Sequence, residues 1–266
     1  MKKSLVLMSL LTLVAASARA EDPPPPPPFT GNISLTTNYK FRGQDQGTLK
    51  TFSPAVQGGF DWAQNGFYAG NWNSNVNFAG SIEMDFYAGY KGEIAKDVGY
   101  DVGIYEYYYP KNGGSINFNV TELYGAVSWQ WLSLKYSHTV SSDYFGIGAS
   151  QQAFATAAGD AISRPKGRNT GYLDLSANYP LVDKLTLNAH LGYTRLASDL
   201  RNATFDNEGT PTNIGLPSFY DYKLGLTYDL GSGFSVAGAV VGASKKSSYP
   251  DGVNKARAIL TLSKSM

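Results

Sequence analysis

The sequence predicts an all-β protein: a transmembrane antiparallel up-and-down β-barrel of about 12 strands, with short periplasmic turns and longer outside loops. Three observations support this fold class. Apolar and polar residues alternate with a period of two through most of the chain after Thr30. Short and long connections alternate between these segments. Tyr and Trp occur at segment ends, where the aromatic girdles of membrane barrels lie.

The alternation is clear in residues 82–91, where Ile, Met, Phe, Ala and Tyr alternate with Glu, Asp, Tyr, Gly and Lys. Each segment is close to the ~9–11 residues that a tilted strand needs to cross a bilayer. The weakest stretch is IYEYYY at 104–109, where Glu106 falls on the apolar face, and a bulge or a rim position would account for it. The expected strands span 31–42, 51–62, 67–78, 81–92, 98–109, 117–129, 131–142, 169–180, 184–196, 218–230, 233–245 and 255–265.

The length of each connection predicts the end of the barrel at which it lies, because outer-membrane barrels have short periplasmic turns and long outside loops. The third connection, around Ala79-Gly80, is the exception: its position requires a long loop, but it is tight. The short connections are 63–66, 94–97, the reversal at 129–131, 181–184 and 230–233, and the longer ones are 43–50, 142–168, 197–217 and 246–254.

The N-terminus predicts export. Residues 1–20 contain a basic start (KK), a short apolar core (LVLMSLLTLV) and a small-x-small cleavage site (ARA), the three parts of a secretory signal peptide. Residues 21–30 are expected to form a Pro-rich periplasmic leader, because six consecutive prolines favour polyproline II and cannot join a sheet. Residues 31–266 would then form the barrel, in the bacterial outer membrane.

Composition excludes several classes of protein. The chain has no Cys, so disulfide frameworks, thiolate zinc sites and Cys nucleophiles are impossible. Without the signal peptide, 19 basic residues face 21 acidic ones, which gives no reason to expect a nucleic-acid partner. The mean hydropathy of −0.25 suits a barrel, in which every second residue faces water.

A soluble periplasmic β protein is the alternative fold, because sandwiches also alternate apolar and polar residues. The membrane barrel is favoured by the continuous charged face, the aromatic residues at strand ends, and the parity of the connections. The last strand, RAILTLSKSM, departs from the usual terminal strand of barrels, since Lys264 interrupts its apolar face and Met266 replaces a final aromatic residue. Outer-membrane lipid and the barrel-assembly machinery are the expected partners, and the oligomeric state is left open.

Four segments of the N-terminal part are distinctive: YKFRGQDQ at 39–46, SPAVQGGFDWAQNGFYAGNWNSNVNF at 53–78, EMDFYAGYKGEI at 83–94 and DVGYDVGIYEYYYP at 97–110. Together they resemble the TorF-like porin family of Gram-negative bacteria. Later pieces, such as LKYSHTVSSDYFG at 134–146, are similar to the same family. The resemblance covers most of the chain after the signal peptide and implies an outer-membrane barrel with a pore role. It implies no substrate and no set of functional residues.

The polar face is expected to line the interior of the barrel. Positive and negative residues are nearly balanced there, which predicts weak ion selectivity, since strong selectivity requires a one-sided ring of charge. The same residues could instead form cross-strand ion pairs that plug a narrow barrel. The expected lumen-lining residues are Lys40, Arg42, Asp61, Glu83, Asp85, Lys91, Asp101, Lys135, Asp174, His190, Asp221, Lys223, Asp229 and Arg257.

No catalytic, metal or cofactor site is expected. Only His138 and His190 could act as an imidazole base. His138 would face lipid near a rim, and no nucleophile is evident near His190 in the sequence. Two isolated histidines give no metal-ligand spacing.

The sequence therefore predicts a porin-like channel for passive diffusion of small hydrophilic solutes, with the 142–168 loop as a candidate constriction or lid. A non-conducting barrel with a structural or adhesive role is the alternative.

Overall fold

The structure is a computed structural model, and it describes five stretches of the chain. The predicted signal peptide and most of the Pro-rich leader lie outside the described residues. Across these stretches, neither helix is long and apolar enough to cross a membrane. The described residues are 28–47, 52–78, 81–110, 116–249 and 252–266.

The described residues form sixteen strands and two short helices. The strands are β1 (Phe29–Thr36), β2 (Lys40–Phe41), β3 (Gln44–Asp45), β4 (Ala55–Gln64), β5 (Phe67–Asn75), β6 (Ile82–Ala95), β7 (Val98–Tyr108), β8 (Val120–Trp129), β9 (Leu132–Thr139), β10 (Gly171–Val182), β11 (Leu185–Arg195), β12 (Thr204–Asn207), β13 (Thr210–Asn213), β14 (Phe219–Gly231), β15 (Phe234–Ala243) and β16 (Arg257–Ser265). The helices are α1 (Ile147–Ala157) and α2 (Ser198–Arg201).

Twelve strands form one closed antiparallel barrel in the order β1-β16-β15-β14-β11-β10-β9-β8-β7-β6-β5-β4. The barrel closes because β1 pairs with β4 on one side and with β16 on the other; Ile33, for example, lies between Gly58 and Lys264. Closure leaves this sheet without an edge. The predicted twelve-stranded antiparallel barrel is confirmed.

The pleat places apolar side chains outside and polar side chains inside. On the exterior, Phe60 is 70% exposed and Leu224 is 59% exposed. On the interior, Glu83 is 1% exposed and Asp221 is 2% exposed. A soluble protein shows the opposite arrangement, so this inverted polarity is that of a barrel surrounded by apolar solvent.

Aromatic residues mark the exterior where strands meet the short turns, as the sequence predicts. The prediction is incomplete, however, because other aromatic residues, among them Trp72 and Tyr107, are buried inside the barrel. The exposed aromatic residues at the turn end include Phe67, Trp129, Tyr179, Tyr228 and Phe234.

The connections separate into two ends, with the predicted parity. The five short turns, which we call the turn end, join β4 to β5, β6 to β7, β8 to β9, β10 to β11 and β14 to β15. The other connections form the loop end. The connection from β5 to β6 spans only residues 76–81 and is the tight exception that the sequence indicates.

The first predicted strand, 31–42, is wrong at its C-terminal end. The strand β1 ends at Thr36, and β2 and β3 then form a small separate hairpin. The reason lies in Arg42 and Gly43, whose φ angles are 46° and 73°. Two consecutive positive φ angles are those of a type I′ turn, which reverses the chain between two strands.

We expect a charge on the exterior at mid-height to destabilise the barrel strongly. Leu224→Arg should lower the free energy of unfolding by about 2–4 kcal/mol, because a cation would lie in the hydrocarbon. Val182→Arg is the matched control: Val182 is 66% exposed at the turn end, where a cation reaches the interface. Denaturant unfolding in lipid vesicles measures both, and equal effects would contradict a membrane-embedded exterior.

Candidate functional site

The hairpin formed by β2 and β3 lies inside the barrel. Its tip is pressed against the wall formed by β14 and β15, since a Cβ atom added at Gly43 would lie 2.5 Å from the Gly242 carbonyl oxygen and 2.7 Å from Asp221 Cβ. Arg42, the adjacent tip residue, instead reaches Glu122 on β8. The hairpin therefore spans the interior between strands that are not neighbours in the barrel.

Arg42 makes the main polar contact between the hairpin and the wall. Its Nη1 and Nη2 atoms donate to Oε1 and Oε2 of Glu122, at 3.0 and 2.7 Å. Nη1 also donates to the Tyr144 hydroxyl at 3.0 Å, and the guanidinium lies 4.1 Å from the ring centroid of Tyr172. Both charged side chains are at most 5% exposed. Such a bidentate pair is geometrically specific, and removing one partner leaves a buried charge without compensation.

A second ion-pair group holds the other side of the hairpin. The Asp45 carboxylate lies 3.1 Å from Lys40 Nζ and 3.1 Å from Arg257 Nη2 on β16. Lys40 Nζ also donates to the carbonyl oxygens of Gly43 and Val253. Burial lowers the pKa of Lys40, which lies outside the barrel strands, and the Asp45 carboxylate opposes that shift. The hairpin is thus tied to β8 and to β16 by charge.

Aromatic residues cover the hairpin at the loop end. Phe41 packs edge-on against Tyr107 of the wall and against Phe145 of the β9–β10 connection, with ring centroids 5.2 and 5.5 Å apart. The surrounding cluster also contains Tyr109, Val120, Leu196 and Leu200, each at most 1% exposed.

The predicted lid, residues 142–168, takes part in this cover. Tyr144 and Phe145 enter the aromatic cluster, and helix α1 packs on the β11–β14 connection, where Gln151 Nε2 donates to the carbonyl oxygens of Leu200 and Ile214. This connection therefore lies over the hairpin at the loop end. Its movement as a lid stays a prediction.

One side of the interior, formed by β4 to β7, pairs carboxylates with tyrosines. Each acidic residue of this tyrosine–carboxylate wall accepts a hydrogen bond from a phenol on another strand or, for Tyr109, directly after one, and the rings of Tyr87 and Tyr105 stack 5.4 Å apart. Tyrosine hydroxyls satisfy carboxylates without supplying a positive charge. The pairs are Tyr87 with Asp61 at 2.6 Å, Tyr105 with Asp85 at 2.9 Å, Tyr109 with Glu83 at 2.9 Å, and Tyr68 with Asp101.

His190 lies on the opposite side between two carboxylates. Its Nε2 is 2.8 Å from Asp221 Oδ1 and its Nδ1 is 3.2 Å from Asp174 Oδ1. The expectation that no nucleophile lies near His190 is wrong, because Ser176 Oγ is 3.1 Å from Nδ1. The sequence does not show this contact, since Ser176 and His190 are cross-strand partners on β10 and β11.

Ser176 also contacts a carboxylate of its own strand. Its hydroxyl donates to Asp174 Oδ1 at 2.6 Å, and the surrounding strands are paired on both sides in the barrel ladder. The cluster is therefore a set of cross-strand polar contacts centred on His190.

The structure places all the predicted lumen-lining residues on the interior side. Arg42 and Lys40 reach it from the hairpin rather than from the wall, which corrects the predicted first strand. Lys135 lies over the Tyr124 ring at 3.8 Å and Lys91 over the Tyr68 ring at 5.5 Å. A role of these residues in solute passage stays a prediction.

Sequence reasoning missed Glu122, the partner of Arg42, and most of the interior tyrosines. The available signal was the phase of IYEYYY, in which Tyr105 and Tyr107 continue the interior face of Asp101. Glu106 does fall on the exterior, near the loop-end rim, where it accepts a hydrogen bond from Thr121. The β7–β8 register is continuous at Glu106, so no bulge is present there. Of the two explanations that the sequence offers for this residue, the rim position is the one that fits.

Among the described residues, no group of three or more His, Asp or Glu side chains is arranged to hold a metal ion.

Comparisons with known proteins give a family and a fold. The sequence pattern of a bacterial family described as "Bacterial protein of unknown function (Gcw_chp)" matches residues 20–265. No curated protein matches the chain. The fold is similar to that of a KdgM porin, with a TM-score of 0.52 at 11% identity, covering 89% of this chain and 99% of that one. A NanC porin gives a TM-score of 0.53 at 12% identity, covering 87% and 97%. A KdgM porin in complex with disordered oligogalacturonate gives 0.50 at 9% identity, covering 90% and 98%.

We expect the Arg42–Glu122 pair to control the local stability of the hairpin. Removing one partner, as in Glu122→Gln, should cost about 3–5 kcal/mol locally, because a buried guanidinium loses its counter-charge. The Asp45 amide, which donates to the Val253 carbonyl oxygen, should then exchange its hydrogen at least about a hundredfold faster, if opening limits exchange. The variant Thr227→Val, which changes the interior far from Glu122, is the control. Unchanged exchange at Asp45 in Glu122→Gln would show that the ion pair does not hold the hairpin.

Proposed function

We propose that this chain, which belongs to the bacterial Gcw_chp family, is a porin-like outer-membrane channel for passive diffusion of small hydrophilic solutes. The observation that carries the proposal is the inverted polarity of the closed barrel, with exposed apolar side chains outside and buried charged side chains inside. Such a barrel is stable in a bilayer and offers a polar interior to water. The predicted signal peptide and the fold of the KdgM and NanC porins support the same location.

The resemblance to the TorF-like porin family supports the proposal from the sequence. Among the described residues, the charged side chains of the interior nevertheless form no continuous track of one sign that would suit a ligand such as the oligogalacturonate of the KdgM complex. Arg42, Lys40 and Arg257 are each paired with a carboxylate, and His190 lies between two. We therefore propose small hydrophilic solutes and weak ion selectivity.

Passage past the loop end requires the hairpin to move or to leave a gap beside it. The tyrosine–carboxylate wall is part of the barrel ladder and stays in place, whereas β2 and β3 pair with each other and lie outside that ladder. The hairpin is also held by buried ion pairs, for which a charged solute that enters the interior can compete. It is therefore the element of the interior that we propose as the constriction.

A non-conducting barrel is the second candidate, and the buried cluster at the loop end favours it. Leu196, Leu200 and Val120 are almost fully buried there, together with rings from the hairpin and the β9–β10 connection. If this cluster never opens, the barrel acts through its outside loops as a structural or adhesive protein. Current through single channels distinguishes the two candidates.

We expect wild-type protein in planar bilayers to give discrete current steps, and Arg42→Ala to give larger or more frequent ones. The substitution removes the contact of the hairpin with β8 and leaves the barrel ladder unchanged. Arg195→Ala, at an exposed position at the loop end of β11, is the matched control and should behave as wild type. Silence from wild type and Arg42→Ala, both folded and inserted, would favour the non-conducting barrel.

We expect the reversal potential in a salt gradient to show a cation-to-anion permeability ratio close to one. Lys135→Glu should shift this ratio towards cations, because Lys135 is an interior cation held by a ring rather than by a carboxylate at ion-pair distance. Lys264→Glu, on the exterior near the turn end, controls for the change in net charge. A strongly one-sided ratio in the wild type would contradict weak selectivity.

A further inference from the structure

The exterior of the barrel has a polar interruption at mid-height, on β5. Trp72 and Ser74 face the interior and are buried, so Asn71 and Asn73 beside them face outwards. Asn71 is the central residue of β5 (Phe67–Asn75). Apart from tyrosines, Asn71 is the one polar side chain on the exterior of the described barrel strands that lies more than two residues from a strand end; Asn73, like Glu106, lies two residues from one.

These two amides lie within an apolar surface. Asn71 is the cross-strand neighbour of Phe60 and Phe86, which are 70% and 44% exposed. Asn73 is the neighbour of Gly58 and Met84. A lipid-facing amide is costly in hydrocarbon because no water is present to complete its hydrogen bonds.

The chain itself satisfies the two amides only in part. Asn73 Nδ2 donates to the Gly58 carbonyl oxygen at 3.2 Å and to Asn71 Oδ1 at 2.6 Å, which uses both of its hydrogens. Asn71 Nδ2 donates to the Asp85 carbonyl oxygen at 3.0 Å and keeps one N–H. In the described chain, Asn73 Oδ1 accepts no hydrogen bond. One donor and one acceptor therefore remain, in neighbouring side chains.

We infer that this face of β4 and β5 is the interface between two copies of the chain in the membrane. The inference rests on the proposed membrane location and not on conduction. A partner here must offer a donor and an acceptor at the same depth in hydrocarbon. A second copy related by a two-fold axis along the membrane normal presents the same residues at the same depth.

The contact is self-complementary. The free N–H of Asn71 in one copy pairs with the free Oδ1 of Asn73 in the other, and the symmetry repeats the bond in reverse. Gly58 and Ala69, on the same face, are small enough for the two barrels to approach closely. The Phe60 and Phe86 rings would then pack at the sides of the polar contact.

Cysteine cross-linking in the native membrane tests this interface, and the natural chain has no Cys to interfere. Ala69→Cys places one thiol on the proposed face. Ala189→Cys is the matched control, because Ala189 lies at mid-height on the exterior of β11, six strands from β5 around the barrel. An oxidant should give a species of twice the mass from Ala69→Cys and little from Ala189→Cys.

A second variant tests the amides themselves. In the Ala69→Cys background, Asn71→Leu with Asn73→Leu should reduce the cross-linked fraction by about tenfold, as expected for the loss of two hydrogen bonds across the interface. Heat-modifiable electrophoretic mobility shows whether this variant folds. If the variant does not fold, the comparison of Ala69→Cys with Ala189→Cys still tests the interface.

Three outcomes overturn the inference. The first is no cross-link from Ala69→Cys in protein that is folded and inserted in the membrane. The others are equal cross-linking from Ala69→Cys and Ala189→Cys, or a cross-linked product that contains a different protein. Undiminished cross-linking in the Asn variant overturns the amide contact. If the protein is absent from the membrane fraction before oxidation, the proposed location fails instead, and the two failures are thereby distinguished.

Discussion

Closure of the backbone ladder is the constraint on which the rest of the structure depends. In hydrocarbon every backbone N–H and C=O must be paired within the protein, so a sheet that enters a bilayer must join its first strand to its last. Here β1 pairs with β16 over five residues and with β4 over eight. Once the sheet is closed, successive side chains along a strand face the exterior and the interior in turn. Because apolar and polar residues alternate with the same period of two, the apolar ones lie outside and the polar ones inside.

A closed barrel also sets the chemistry of its interior. Polar side chains that leave water must find partners inside, and here they find them on nearby strands or on the infolded hairpin. Carboxylates on one side are satisfied by tyrosines, those near Arg42 and Lys40 by cations, and those beside His190 by the imidazole nitrogens. Tyrosine fills volume and donates a hydrogen bond at once, which explains why so many rings lie inside rather than in the girdles alone.

The strands were predictable because their signal is local: alternation and turn residues decide them without reference to distant parts of the chain. The hairpin was not predictable from the sequence, because Tyr39 and Phe41 continue the apolar–polar alternation of β1 although the chain reverses there. Only the turn at Arg42-Gly43 distinguishes an infolded hairpin from a long strand. The Arg42–Glu122 pair was beyond sequence reasoning for another reason, since its partners are 80 residues apart and meet only when the barrel closes.

Two kinds of contact close the loop end, and they respond differently to their surroundings. The cluster around Leu196 and Leu200 is apolar, and apolar burial changes little with ionic strength. The hairpin depends on Arg42 and Asp45, whose buried ion pairs are screened little by bulk salt but weaken when a charged solute reaches them and competes for one partner. A solute that enters from the turn end meets the hairpin before the cluster. A charged solute can therefore shift the hairpin, by competing for its ion pairs, more readily than it can open the apolar cluster.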